Sequence, residues 1–77
     1  MKYELYISIQ NEYLSVPSQT IVKSGEVVDE WQVRGIASSF FGKSFMDTSE
    51  ARAASSEYKV FIERLSDTVF ACVRLYN

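Results

Sequence analysis

Hydrophobic and polar positions recur with helical spacing between Ala51 and Leu65. Apolar side chains three or four residues apart form one stripe, made of Ala51, Ala54, Tyr58, Phe61, Ile62 and Leu65. This spacing is typical of an amphipathic helix that packs on a sheet. Asp47 can accept hydrogen bonds from the first free backbone amides, and Glu50, three residues later, completes a variant of the capping box. The pattern therefore predicts a helix over about residues 48–65.

Two stretches near the ends of the chain predict strands. Residues Met1–Gln10 alternate between apolar and polar, and Thr68–Tyr76 is rich in β-branched and aromatic residues, a composition that strands favour. Gln19–Lys23 is a plausible third strand, and Ser24-Gly25 after it favours a tight hairpin turn. Because the first and last strands are both apolar, we expect them at or near the centre of the sheet.

The segment Glu26–Phe41 fits two interpretations. As a helix, its apolar residues fall into two patches on different sides, and Gly35 would cost about 1 kcal/mol relative to alanine. As a strand, it places Val27, Trp31 and Val33 on one face. We favour the strand and leave the helix as the alternative. The pattern also leaves open whether Trp31 lies in the core or on the surface.

These elements predict an α+β fold. The expected architecture is an antiparallel sheet of three to five strands with one main amphipathic helix packed on one face, in the order β-β-β(-β)-α-β. A chain of 77 residues without repeats or linkers is expected to form a single domain, residues 1–77, with a small core.

The composition argues against catalysis. The chain contains no histidine, so the commonest general base and metal ligand is missing. Cys72 is the only cysteine, which leaves no Cys/His set for zinc and no imidazole to activate the thiol. Asp29 and Glu30 would point to opposite faces of a strand, a poor geometry for acid–base chemistry. The sequence therefore predicts neither an enzyme nor a bound cofactor or metal.

One short motif matches a nucleotide-binding pattern. Ala37–Ser44 satisfies a relaxed form of the phosphate-binding P-loop, which needs a glycine-rich loop between a buried strand and a helix. Two phenylalanines occupy the loop here, and the predicted helix begins later, at Asp47. We therefore interpret Gly42-Lys43 as a bend before that helix.

Charge and hydropathy restrict the partners. The net charge is −2, from eight basic and ten acidic residues, which argues against nonspecific binding to phosphates. No apolar run approaches the roughly 18 residues of a membrane span, and the first residues lack the apolar core of a signal peptide. A single thiol fits a reducing compartment. The prediction is a cytoplasmic protein without membrane association.

An aromatic residue among acids forms the first candidate site. Tyrosine, tryptophan, phenylalanine and arginine are the typical anchors of protein interfaces, and an acidic rim favours a basic partner surface. The residues predicted to bind such a protein partner are Glu26, Asp29, Glu30 and Trp31.

One face of the last strand forms the second candidate. If Val69, Ala71, Val73 and Leu75 face the helix, the intervening residues face the other way, where Tyr6 of the first strand can join them. A face with aromatics and arginine can stack bases, as RRM-type domains do, although the RRM signature is absent. Cover by the Glu26–Phe45 region or by a second subunit is the more favoured interpretation. The residues of this predicted sheet-face interface are Tyr6, Phe70, Arg74 and Tyr76.

In size, mild acidity, aromatic content and lack of catalytic groups, the chain resembles small phage-encoded inhibitors of host machinery, including anti-CRISPR proteins. The resemblance covers the whole chain, rests on no motif and carries over no site residues. It implies a non-catalytic, protein-binding inhibitor in the host cytoplasm, with a nucleic-acid-handling complex as its partner. The alternatives are a single-stranded nucleic-acid-binding domain that uses the aromatic sheet face, and a homodimeric structural or regulatory domain.

Overall fold

The computed structural model describes residues 1–10, 13, 16–55 and 57–77, with the backbone alone for residues 51–55. Five strands and one helix follow in the order β1 (Lys2–Ile9), β2 (Ser18–Glu26), α1 (Glu30–Phe41), β3 (Glu50–Ser55), β4 (Tyr58–Arg64) and β5 (Val69–Tyr76). The strands form one antiparallel sheet in the order β2-β1-β5-β4-β3. The predicted α+β class, with one helix on one sheet face, is confirmed. So is the inner position of the first and last strands.

The predicted position of the helix is wrong. Residues 48–65, where the apolar stripe predicted a helix, contain β3 and β4, so the element order is β-β-α-β-β-β. In β4, Phe61 faces the core while Val60 and Ile62 face the other side of the sheet. Because Val60, Phe61 and Ile62 place apolar side chains on both faces of β4, its residues also satisfy a spacing of three and four, and periodicity alone could not separate the two structures.

The helix instead begins at Glu30, in the segment for which we favoured a strand. Asp29 is its N-cap, and the Asp29 side chain accepts a hydrogen bond from the Gln32 backbone amide at 2.8 Å. The Gln32 side chain in turn accepts from the Val28 amide at 2.8 Å. These two bonds form a variant of the capping box, in which the Gln32 side chain accepts from the residue before the N-cap instead of from the N-cap itself.

The end of α1 explains the P-loop match. Gly42 has a left-handed φ of 68° and donates its amide to Ser38 at 3.0 Å, which is the usual way for glycine to end a helix. Gly42 therefore follows a helix instead of preceding one, and Ala37–Ser44 is the end of α1 with its cap. Gly35 lies inside α1, where its propensity cost is outweighed by the burial of Val33 and Ala37 on the sheet.

Strand β2 is longer than predicted and contains no turn at Ser24-Gly25. Gly25 lies opposite Tyr3, and a Cβ atom there would come within 3.1 Å of the tyrosine ring. Glycine thus lets the ring pack against the backbone. In the β1–β2 register Leu5 lies opposite Lys23 and Tyr6 opposite Ile21, so Val22 is an extra residue in a β-bulge.

The hydrophobic core lies between α1 and one side of the sheet, which we call the covered face. Its strand residues include Leu5, Phe61, Val73 and Leu75, all fully buried. Arg34 of α1 is buried at the edge of this core, with its guanidinium 4.2 Å from the centre of the Phe61 ring. It donates to the carbonyls of Phe45 and Thr48 and thereby ties the segment after the helix to α1.

Candidate functional site

The side of the sheet away from α1 carries a second set of side chains, which we call the open face. Cross-strand pairing places Glu4 opposite Arg74 and Tyr6 opposite Cys72, with Ile62 beside Cys72 on the next strand. These residues alternate with those of the covered face along each strand. The open face comprises Lys2, Glu4, Tyr6, Ser8, Gln19, Ile21, Ser24, Glu26, Tyr58, Val60, Ile62, Arg64, Phe70, Cys72, Arg74 and Tyr76.

All four residues of the predicted sheet-face interface lie on the open face. Arg74 donates to Glu4 Oε1 at 3.3 Å and to the Gln19 side chain at 3.3 Å. The Tyr76 hydroxyl donates to the same Glu4 oxygen at 2.6 Å. Glu4 and Arg74 are mostly buried, so their charges compensate each other locally. This network fixes the side chains at one end of the face.

Cations of the chain itself lie over the rings of the open face. The Arg74 guanidinium is 4.7 Å from the centre of the Tyr6 ring, and the Arg64 guanidinium is 5.4 Å from that of Phe70. These distances are typical of cation–π contacts. Tyr6 keeps only 4% of its surface exposed. Its ring is therefore closed to a stacking base unless Arg74 moves.

A groove of about 260 Å³ opens on the other end of the open face. We call it the groove. The described residues that line it are all uncharged, namely Tyr6, Ser8, Gln10, Pro17, Gln19, Ile62, Phe70 and Cys72. Sites for small molecules usually measure about 300–1,000 Å³. The groove is therefore of a size for one or two side chains of a partner, with the Gln10 and Gln19 amides as hydrogen-bonding groups beside it.

The two titratable side chains at the floor of the groove, Cys72 and Tyr6, are neutral. Burial raises the pKa of the Cys72 thiol to about 11, and it raises the pKa of the neighbouring Tyr6 hydroxyl as well. Both groups are therefore protonated at neutral pH, and a protonated thiol is neither a good nucleophile nor a metal ligand. The floor can offer shape and hydrogen bonds but no reactive anion.

The predicted acidic cluster around Trp31 is arranged differently from the expectation. Trp31 lies on α1 and is 59% exposed, which answers whether it belongs to the core. The Arg34 guanidinium lies 5.4 Å from the centre of its ring. Trp31 is thus a surface aromatic beside a cation of its own helix.

Two acids of that cluster have partners within the chain. The Asp29 carboxylate caps α1, and the Glu30 carboxylate pairs with Arg34 at 3.1 Å and with Lys59 at 3.5 Å. Glu26 lies at the end of β2, opposite Lys2. Two of the three predicted acids therefore already interact within the chain, and the role of the four residues in binding a partner stays a prediction.

The walls of the groove were missed from the sequence. Pro17 precedes the edge strand β2, and Gln19 is its second residue. The position of both depends on how β2 pairs with β1, which no local sequence pattern shows. Ile62 was assigned to the stripe of the predicted helix. The alternation of Tyr58, Val60 and Ile62 along β4 was the available signal for an apolar sheet face.

Two further properties concern only the described part of the chain. It holds no group of three or more metal-ligating side chains close enough to bind an ion. None of its helices has the length and apolar character needed to span a membrane.

Comparison with known proteins gives no match: no protein-family model, curated protein or solved structure is significantly similar to the chain.

Proposed function

We propose that the protein is a non-catalytic binding module that occupies a surface of a larger protein through its open face. The observation that carries the proposal is the groove between Gln19 and Ile62, with its uncharged described lining, set in a sheet face that no helix of the described part of the chain covers. Aromatic and aliphatic side chains around a small concavity are the usual anchors and pockets of protein interfaces. Ile62 is 41% exposed in the chain by itself, so a partner could bury it further.

The open face is also rigid, which favours binding without rearrangement. The Glu4–Arg74–Tyr76 network and the contact of Arg74 with the Tyr6 ring hold these side chains before any partner arrives. A preorganised surface loses less side-chain entropy when it binds. An inhibitor that blocks a partner's surface needs this property and no reaction of its own. The inhibitor role, with a nucleic-acid-handling complex as partner, is the form of the proposal that follows from the resemblance.

Single-stranded nucleic acid is the competing ligand for the same face. Its binding needs exposed rings and a basic track along the backbone. Here Arg74 covers Tyr6 and is neutralised by Glu4, and the groove is lined by uncharged residues. A protein partner with apolar side chains needs neither exposed rings nor a basic track, so we favour a protein as the ligand of the open face.

The test is capture of a partner from bacterial lysate by immobilised protein, with matched variants. Ile62→Glu places a charge in the groove, and Val28→Glu places one at an exposed apolar position outside the open face. We expect a defined protein to be captured by the wild type and by Val28→Glu, and at least about tenfold less of it by Ile62→Glu, as for loss of an interface anchor. Circular dichroism would check that both variants fold.

Two outcomes would overturn the proposal. The first is equal capture of the same protein by folded Ile62→Glu and wild type. The second is tight binding of a labelled single-stranded oligonucleotide at low salt, measured by fluorescence anisotropy and lost in Arg74→Gln and Phe70→Ala. That result would assign the open face to nucleic acid instead of protein.

A further inference from the structure

Strand β2 is an edge strand of the sheet. It pairs with β1, and no other strand among the described residues lies beside its outer edge. Eight of its nine side-chain positions are exposed, including Ile21 at 54% and Val22 at 40%. A row of free backbone donors and acceptors with β-branched neighbours is a template for another extended strand.

The bulge at Val22 determines the register in which β2 can pair with a second copy of itself. Antiparallel strands related by a two-fold axis perpendicular to the sheet must bring residues of the same face opposite each other. Before the bulge, Ser18 and Thr20 lie on the covered side; after it, Lys23 and Gly25 do. With the axis between Ile21 and Val22, Ser18 lies opposite Gly25, Gln19 opposite Ser24, and Thr20 opposite Lys23. The two residues of each pair then lie on the same face. In a strand without the bulge, the same register would place them on opposite faces.

Charge fits the same register. Lys23 and Glu26 are the only charged residues of β2. Opposite like charges destabilise a strand pair, but here Lys23 faces the short polar side chain of Thr20, and its own long side chain can reach solvent. An edge lysine and a bulge ordinarily prevent strand addition. In this arrangement the bulges meet at the axis and the lysines do not oppose each other.

We propose that two copies of the chain pair β2 to β2, antiparallel, about an axis between Ile21 and Val22. The result is one continuous sheet with both helices on one side and both open faces on the other. Ile21 and Val22 of the two copies meet at the axis and lose exposure. The proposal is independent of what the groove binds, although the dimer would present two grooves on the same side and so favour a bivalent partner.

Light scattering after size exclusion tests the dimer, using the whole chain. We expect twice the chain mass of 8.8 kDa for the wild type. Ile21→Asp and Ile21→Lys each place like charges near the axis, and each is expected to raise the dimer dissociation constant at least about tenfold, or roughly 1.4 kcal/mol. Mixing the two variants should restore the dimer, because an aspartate then meets a lysine across the axis.

The control variants carry the same two charged residues, aspartate and lysine, at a position outside β2. Val28→Asp and Val28→Lys change an exposed apolar residue between β2 and α1 and should leave the dimer intact. A wild type that is monomeric at every concentration overturns the proposal. So does a dimer that Ile21→Asp leaves unchanged, which would move the contact to another surface such as the open face.

Cysteine cross-linking tests the register. Thr20→Cys combined with Lys23→Cys should give a dimer on a non-reducing gel, because each new cysteine faces the other type in the partner copy. Within one chain the two positions are about 10 Å apart along the strand, too far for a disulfide of about 4.4–6.8 Å between Cα atoms. Thr20→Cys alone should not cross-link, since position 20 does not oppose itself. Efficient cross-linking of that single variant, or none of the double variant, overturns the register.

Discussion

On the covered face, Leu5, Phe61 and Val73 lie fully buried against α1 and one another. On the open face, their neighbours along the same strands include Tyr6 and Arg74, which are held by an ion pair, hydrogen bonds and ring contacts. Burial of apolar area on the covered face contributes more to stability than the ion pair and the hydrogen bonds of the open face do. The same strands thus carry stability on one side and an interaction surface on the other. Substitutions should therefore affect stability and binding separately.

The largest expected effect comes from two adjacent residues of β4 that point to opposite faces. Phe61→Ala removes a fully buried ring and should lower the free energy of unfolding by about 3–5 kcal/mol. Ile62→Ala, at a 41% exposed position on the open face, should lower it by less than about 1 kcal/mol. Urea unfolding followed by tryptophan fluorescence measures both. Similar losses for the two variants would contradict the division between the faces.

Two arginines provide the next comparison. Arg34 is buried beside the covered face and donates to the carbonyls of Phe45 and Thr48. Arg34→Met leaves those acceptors without their donor and should cost roughly 2–4 kcal/mol of unfolding free energy. Arg74→Met on the open face removes the cation beside the mostly buried Glu4, but the Tyr76 hydroxyl still donates to that carboxylate, so the loss should be smaller, roughly 1–2 kcal/mol. The same urea titrations decide, and an equal or larger loss for Arg74→Met would reverse our ranking.

The strands at the two ends of the chain could be predicted because each carries its own signal. β1 alternates strictly and β5 is apolar on both faces, so their inner positions followed. The same alternation assigned Tyr6, Phe70, Arg74 and Tyr76 to one face before any partner strand was known. Local periodicity was sufficient for these features.

The helix and the groove could not be predicted as readily. The signals for α1 were present, as Asp29 with Gln32 for its start and Gly42 for its end, but Gly35 and two separate apolar patches obscured them. The apolar residues of β4 fitted a helix equally well. The groove depends on how β2 and β4 are placed around β1 and β5. Such long-range pairing, including the bulge at Val22, leaves no local pattern in the sequence.

The smallest expected effect concerns Cys72, one of two buried titratable residues at the floor of the groove. Cys72 is 2% exposed, and burial raises its pKa to about 11 from an ordinary value of 9.0. The folded chain therefore holds the thiol proton more tightly than the unfolded chain does. This contribution to stability is complete below about pH 9 and is lost as the pH rises towards 11.

We expect the wild type to lose about 1–2 kcal/mol more unfolding free energy between pH 9 and pH 11 than Cys72→Ala does, given about 1.4 kcal/mol for each pKa unit. Urea titrations at several pH values measure the difference, and the alanine variant cancels the contribution of the tyrosines. Iodoacetamide at pH 8 should leave Cys72 unmodified in the folded protein and modify it in urea. Parallel pH profiles together with rapid labelling would mean that the floor of the groove is open to water. The open face would then lack the closed, neutral floor on which its proposed fit to a partner's side chain depends.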